Sequence, residues 1–317
     1  MNVETASVHG LVDLPRVLPP HSVELARVLA RVASVKEGRF PGPSPCSLER
    51  ADFPKLRSQP YWACEKTDGV RVMLFCTTLG DMRVCCLVDR AMAFYLLPLH
   101  AVPTAMFQDS LVDCELVMNT SDRVLELLAF DAFVLSGIPV FSLPFSRRIA
   151  CLKRATTKYI AHREDAARVR IKDFVAGAMF GMYREFEATK RHAYAIDGLI
   201  LTPELSPPVV GRHPDLFKLK TKHTVDFMVG DNGTDLLVFD SGKRTHSVVA
   251  RLRSASTPGS IVECVREGGG GDMVSTWEVV CTRGDKTTAN DMLTYTKTLV
   301  NMREAVTCDD LIHAFAA

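Results

Sequence analysis

Net charge, paired cysteines and long apolar runs are all scarce in this 317-residue sequence. Lys+Arg number 38 and Asp+Glu 37, leaving +1. No global field therefore draws the chain to nucleic acid, and such a partner must be met by a local basic groove. None of the ten cysteines falls in a C-x-x-C pair. That removes the common zinc and dithiol motifs and leaves thiols that read as reduced core residues of an intracellular protein. No run of ~18 apolar residues occurs, and Met1 to Gly10 lacks the basic start and apolar stretch of a secretion signal. The expectation is a soluble protein with no membrane association. Also missing are an H-C-x-x-x-x-x-R loop, a pair of E-x-E strands and a complete G-x-x-x-x-G-K-[ST] loop, of which Ser241-Gly242-Lys243-Arg244 is only a fragment. No internal repeat or long low-complexity tract is present.

What is there is core material: 47% of residues are apolar, over a length sufficient for two domains. His21 to Ser34 carries Val23, Ala26, Leu29, Ala30 and Ala33 at helical spacing, and a breaker-rich loop from Gly38 to Pro45 follows. Short apolar runs cut by turns (70–76, 83–88, 92–97, 110–118, 124–134) predict an antiparallel sheet. The pattern then predicts a helix over 145–161, a strand over 168–174, a helix over 174–190, and strands over 196–202 and 216–219. After Thr224-Val225-Asp226-Phe227, short strands separated by Gly, Asn and Ser, including the turn Gly268 to Gly271, read as a small β-barrel compatible with an OB-fold. An amphipathic helical tail covers 290–315. The fold class is α+β: antiparallel sheets with flanking helices, then the barrel.

The most informative stretch is Glu65-Lys66-Thr67-Asp68-Gly69-Val70-Arg71, a lysine between two aromatic and β-branched runs. Burial there disfavours the ammonium, lowers the lysine's pKa and exposes a nucleophilic lone pair. Asp68-Gly69 supplies a tight turn joining the runs as a hairpin, and Arg71 a fixed positive charge for a phosphate or ribose oxygen.

Further along the chain come Asp113-Cys114-Glu115, Phe130-Asp131 and Asp197-Gly198-Leu199-Ile200. Lys218-Leu219-Lys220 follows, then Thr224 to Phe227, and Arg283, Asp285, Lys286 and Asn290 in the spacing R-x-D-K-x-x-x-N. In this order the set resembles the covalent nucleotidyltransferases, and among them the GTP:mRNA guanylyltransferases, the capping enzymes. The loop Phe40-Pro41-Gly42, with Ser47-Leu48 behind it, is similar to the segment before the lysine motif in cellular members. The resemblance spans roughly residues 38 to 290 and departs from the family pattern at two places. Cys114 stands where a turn glycine is usual, and Cys281 where many members carry a further arginine.

The resemblance implies a nucleotidyltransferase (GTP-binding) domain over 1–225, an OB-fold domain over 226–290 and a helical tail over 291–317. Lys66 is implied as the nucleophile that attacks the α-phosphate of GTP, expels pyrophosphate and carries GMP as a phosphoamide, until a 5′-diphosphate RNA end takes it to form the GpppN cap. Phe130 is implied to stack on guanine, and Arg90 and Glu115 to hold the ribose. Lys218 and Lys220, sharing a strand face, are implied to neutralise charge on the phosphate oxygens, and Arg71 to bind the nucleotide at a phosphate or ribose oxygen. Asp197 is implied as the carboxylate for Mg²⁺, with Mn²⁺ as the alternative. Arg283, Asp285 and Lys286 reach the β- and γ-phosphates when the barrel domain closes. The implied partners are GTP, 5′-diphosphate RNA, the RNA polymerase II tail, an RNA triphosphatase and a cap methyltransferase, in the nucleus. Two other readings stay open on residues alone: an ATP-dependent polynucleotide ligase, and a non-catalytic module that binds RNA or polymerase through an old nucleotide pocket. The lysine assignment predicts that Lys66→Ala abolishes a covalent GMP adduct, read by mass spectrometry after GTP incubation, while circular dichroism shows an unchanged fold. Persistence of labelling in that variant contradicts it.

Overall fold

The computed structural model describes every residue except 101, 158, 160, 161, 163, 178–192, 221, 267–275, 285 and 317. In chain order its strands are β1 (Val3–Val8), β2 (Val12–Val17), β3 (Pro43–Ser47), β4 (Tyr61–Thr67), β5 (Val70–Leu79), β6 (Met82–Val88), β7 (Phe94–Leu96), β8 (Ser110–Met118), β9 (Leu125–Leu135), β10 (Ile138–Pro139), β11 (Arg168–Ile171), β12 (Val175–Ala176), β13 (Ile196–Pro203) and β14 (Gly211–Lys220). Then come β15 (Thr224–Val229), β16 (Asp235–Asp240), β17 (Thr245–Leu252), β18 (Ile261–Arg266) and β19 (Thr276–Thr282). The helices are α1 (His21–Ala33), α2 (Phe53–Ser58), α3 (Phe145–Thr156), α4 (Met292–Glu304) and α5 (Cys308–Ala316). One compact unit comprises Met1–Cys46, Phe53–Leu219 and Asp309–Ala317, and the other Ser47–Asp52 and Lys220–Cys308.

Among the described residues the first unit holds a nine-stranded sheet in the order β1-β2-β7-β6-β5-β8-β9-β10, with β11 parallel to β9, and a five-stranded sheet in the order β12-β4-β13-β14-β3. Period-2 alternation shows why β5 is apolar almost throughout. Val72, Leu74 and Cys76 enter one core with Leu152 of α3, while Met73 and Phe75 enter the other with Leu25 and Leu29 of α1. The sheet is buried on both faces, so its central strands read as continuous apolar runs and not as alternating ones.

Several local expectations change. The β1–β2 hairpin, turning at His9-Gly10 with φ of 50° and 78°, is absent from the sequence reading because its strands carry charge and are largely exposed. In α1 the buried positions are Leu25 and Leu29, with Val23 exposed. The loop before Ser47 ends in strand β3. The expected helix over 174–190 does not begin there, since Val175–Ala176 pairs with β4 as strand β12; residues 178–190 lie outside the described residues. So does the turn at 268–271. Asp68-Gly69 is not a hairpin turn, for β4 belongs to the five-stranded sheet and β5 to the nine-stranded one. Glycine is required at 69 by close approach: a Cβ there would lie 2.5 Å from Val117 Cγ1 and 2.6 Å from the Leu116 carbonyl oxygen. Cys114, in place of a turn glycine, lies in β8 with its side chain buried in the core.

The second unit is a closed barrel in the order β15-β16-β17-β19-β18. Phe227 and Trp277 meet edge-on inside it at 5.0 Å, with Tyr295 of α4 against Phe227 at 5.8 Å. The tail is two helices, because Ala305 takes a left-handed conformation (φ 44°) and closes α4 on the Asn301 carbonyl.

One polar contact inside the first unit fixes α3 to the sheet. Arg148 donates to both carboxylate oxygens of Asp131, at 2.7 and 2.9 Å, and to the Leu143 carbonyl, with both side chains nearly excluded from water. Removing one member leaves a buried charge unpaired, so Arg148→Ala is expected to lower the unfolding free energy by about 3–5 kcal/mol. Urea titration checks it, and a loss below ~1 kcal/mol, the range of an exposed pair, contradicts it.

Candidate active site

Lys66 is the penultimate residue of β4 and pairs in register with Gly198 of β13. The register of β13 slips between Ile196 and Gly198, and Gly198 takes φ 150°. This irregularity turns the intervening Asp197 toward the lysine, whose Nζ donates to Asp197 Oδ1 at 2.6 Å. The expectation of a lysine shut away from water is corrected: its side chain is 22% exposed and ion-paired. The Asp68 N–H donates to the Ala195 carbonyl at 2.9 Å, and the Thr120 N–H to the Ala193 carbonyl at 2.6 Å. The segment leading into Asp197 is thus held from two sides.

Across the Gly69 crossing, β5 presents Arg71 opposite Glu115 of β8. The Arg71 guanidinium forks onto both oxygens of the buried Asp113 and also donates to the Pro43 carbonyl. Its positive charge, expected to face a phosphate or ribose directly, is held by protein. Burial lowers its pKa, but the Asp113 carboxylate outweighs that and holds it above the ordinary arginine value. Arg90 lies two residues past β6, with much of its side-chain surface exposed; partial desolvation of the guanidinium, then the nearby Arg71 charge, lower its pKa.

Phe130 on β9 is partly exposed, with the Arg71 guanidinium 5.5 Å from its ring centre and the Lys172 ammonium 5.8 Å from it. Lys172 went unassigned in the sequence. It follows β11, is almost wholly buried, and donates to the Glu65 carbonyl at 3.1 Å and the Thr67 hydroxyl at 2.7 Å, with a Glu65 carboxylate oxygen at 3.9 Å. Set among Arg168, Arg170 and Asp173, it carries no mark in the sequence that separates it from an exposed strand-end charge. Glu115 is pushed up to about 7 by burial, against the lowering effect of Lys172, Arg71 and Lys66. Lys66, Asp197, Glu115, Lys172, Phe130 and Arg71 therefore form one constellation where the two sheets meet.

Lys218 and Lys220 occupy one face of β14, with Phe217 and Leu219 buried on the other. In the barrel unit, Arg283 Nη1 lies 3.2 Å from Asp226 Oδ1 and 3.3 Å from Glu263 Oε2, and Lys286 Nζ donates to Asp226 Oδ2. Asn290 receives the Asp226 N–H through its side chain and donates its own N–H to the Asp226 carbonyl. The T-V-D-F and R-x-D-K-x-x-x-N motifs thus form one cluster around Asp226. Asp285 lies outside the described residues. Cys281, at the place of the missing arginine, is exposed and lies 3.6 Å from Glu263.

A model of the mRNA capping enzyme catalytic domain matches residues 6–222, and one of the mRNA capping enzyme C-terminal domain matches 213–312. The chain belongs to the mRNA capping enzyme family. As a member of the capping enzyme family it is an enzyme of the nucleotidyltransferase class, a guanylyltransferase, and the ligase and non-catalytic readings fall away. The mRNA-capping enzyme subunit alpha of Yarrowia lipolytica is 26% identical over 93% of this chain and 87% of its own length. That of Schizosaccharomyces pombe is 26% identical over 95% and 86%. Among solved structures, mycobacterial DNA ligase D complexed with ATP and MES aligns over 77% of this chain and 94% of its own, at 14% identity and a TM-score of 0.46.

The residues at this capping-family site fit a divalent cation. Asp197 is a partly exposed carboxylate beside the lysine, and magnesium binds through one or two carboxylates together with substrate phosphates and water. The raised Glu115 gives a pH test. The folded chain holds this proton at pH values where the unfolded chain, with an ordinary value of 4.5, has lost it. Stability contributed by this group therefore falls as pH rises from about 4.5 through 7. Glu115→Gln is expected to flatten that part of the pH–stability profile. Thermal melts at stepped pH check it, and an unchanged slope counts against the assignment.

Proposed function

We propose that Lys66 carries GMP in a two-step transfer from GTP to the 5′-diphosphate end of RNA, and that the observation carrying this reading is the Lys66–Asp197 contact set beside Glu115, Phe130 and Lys172. In the first step the Nζ–P bond forms, the bond from the α-phosphorus to the β-phosphate oxygen breaks, and pyrophosphate leaves. Asp197 Oδ1, 2.6 Å from Nζ, is the base within reach of the proton that must depart before the amine attacks. In the second step the RNA diphosphate oxygen displaces the reprotonated nitrogen. When bound at Asp197, Mg²⁺ or Mn²⁺ supplies neutralisation of phosphate charge. Lys218 and Lys220 are our candidates for stabilising the charge that builds on the phosphate oxygens.

Phe130 offers a ring face to the base, and Glu115, Arg90 and Arg71 are the ribose-side candidates. Lys172 supports guanine over adenine. A buried ammonium beside that ring, with the Thr67 hydroxyl next to it, complements the O6 and N7 acceptors of guanine and opposes the N6 amino group of adenine. In the barrel, Arg283, Asp285 and Lys286 are candidates for the β- and γ-phosphates. Arg283 and Lys286 are held by Asp226, so a triphosphate has to compete with that carboxylate for them. The setting we infer is nuclear mRNA processing, beside an RNA triphosphatase, a cap methyltransferase and the polymerase tail.

Incubation with labelled GTP or ATP and Mg²⁺ tests the reading. A covalent adduct is expected from GTP, and Lys172→Met is expected to reduce the preference for GTP over ATP by about ten- to a hundred-fold, the worth of a hydrogen bond to a charged group. An adduct from ATP and not GTP overturns the nucleotide assignment, and an unchanged preference in the variant overturns the role of Lys172.

A further inference from the structure

Away from the residues gathered around Lys66, two histidines distant in sequence meet a carboxylate. His100 follows β7, while His162 and Glu164 lie between α3 and β11, and one ligand atom from each of the three falls within 4.8 Å of the others. His100 Nε2 is 3.8 Å and His162 Nδ1 3.9 Å from Glu164 Oε2. Behind them stands Asp165, its side chain 3% exposed. Asp165 Oδ1 accepts the His100 backbone N–H at 2.7 Å and lies 3.1 Å from His100 Nδ1, while Oδ2 accepts the Tyr159 hydroxyl at 2.8 Å and the His162 N–H at 2.9 Å.

With the Asp165 carboxylate against His100 Nδ1, Nε2 on the Glu164 side is the nitrogen that His100 offers to a metal. Outer carboxylates orient metal-ligating histidines in this way. His162 Nδ1 accepts the Glu164 N–H at 3.2 Å, a bond that a metal on this nitrogen has to displace.

We propose that His100, His162 and Glu164 bind a divalent transition metal, with zinc the best-suited ion and Asp165 the positioning residue. Two imidazoles and a carboxylate leave a fourth tetrahedral place for water, and the nitrogen donors select against magnesium, which prefers an all-oxygen shell. Bonds of ~2.0–2.1 Å set tetrahedral ligand atoms about 3.3 Å apart. The present separations, within 4.8 Å, are wider than that, and all three side chains are exposed. The loop after β7 is already joined to the α3–β11 connection by the Ala166 N–H on the Pro98 carbonyl at 2.9 Å. A metal here clips the same two segments and stabilises the fold by mass action.

Calorimetric titration of the chelator-treated full chain with zinc sulfate or magnesium chloride tests this, with thermal melts and the absorption spectrum of the cobalt-substituted protein. Expected are a single zinc site, a rise in Tm with zinc and none with magnesium, and cobalt d–d bands without a thiolate charge-transfer band. Glu164→Gln and Asp165→Asn are each expected to weaken zinc about ten- to a hundred-fold. GTP labelling of Lys66 in metal-depleted Glu164→Gln, assayed with Mg²⁺, is expected to match the unsubstituted chain. Absence of zinc binding, a zinc affinity in both variants equal to that of the unsubstituted chain, or a cobalt–thiolate band placing the metal on cysteine overturns the proposal.

Discussion

The candidate site depends on the crossing at Asp68-Gly69. Two residues carry the chain from the five-stranded sheet to the nine-stranded one, and they do so against β8, where the Leu116 carbonyl leaves no room for a side chain at 69. This close approach puts the end of β4, with Lys66, beside β5, β8 and β9, which bring Arg71, Glu115 and Phe130. The five-stranded sheet contributes Lys66, the proposed nucleophile, and, through the slipped register of β13, its carboxylate partner. The nine-stranded sheet contributes the aromatic face and the charges around it. Were the turn a hairpin within one sheet, Lys66 and Arg71 would be neighbours across one ladder, and β8 and β9 would have no reason to approach the lysine.

Much of this was legible along the chain. The strands β5, β8 and β9 announce themselves because both of their faces are buried, which produces apolar runs that turns interrupt. The order of charged motifs was also legible, because charges interrupt apolar runs at the end of β4, at the start of β13 and within β8 and β9. What was hidden depends on pairing across long separations. A D-G turn looks the same whether the strands it joins pair or part. Nothing in the spacing tells that Asp113 receives Arg71, or that a lysine after β11 reaches Glu65 and Thr67. The β1–β2 hairpin escaped because exposed edge strands need no apolar pattern, and the break at Ala305 because a left-handed alanine has no sequence mark.

The pattern of ion pairs also explains how a chain of net charge +1 can gather so many cations without repelling itself apart. Lys66 has Asp197, Arg71 has Asp113, Lys172 has Glu65, and Arg283 and Lys286 share Asp226. Burial sorts these pairs into two kinds. Arg71–Asp113 and Lys172–Glu65 are almost fully withdrawn from water, where losing one partner is costly, so they remain as built. Lys66–Asp197 and the Arg283 and Lys286 contacts are partly solvated, where an ion pair contributes little and a new anion can displace the old one. The exchangeable pairs hold the side chains proposed to act on phosphate, and the fixed pairs hold those proposed to recognise the base and ribose. Within each unit taken by itself, an anion that reached these partly solvated cations would displace a carboxylate that holds them weakly, leaving the buried pairs unaltered.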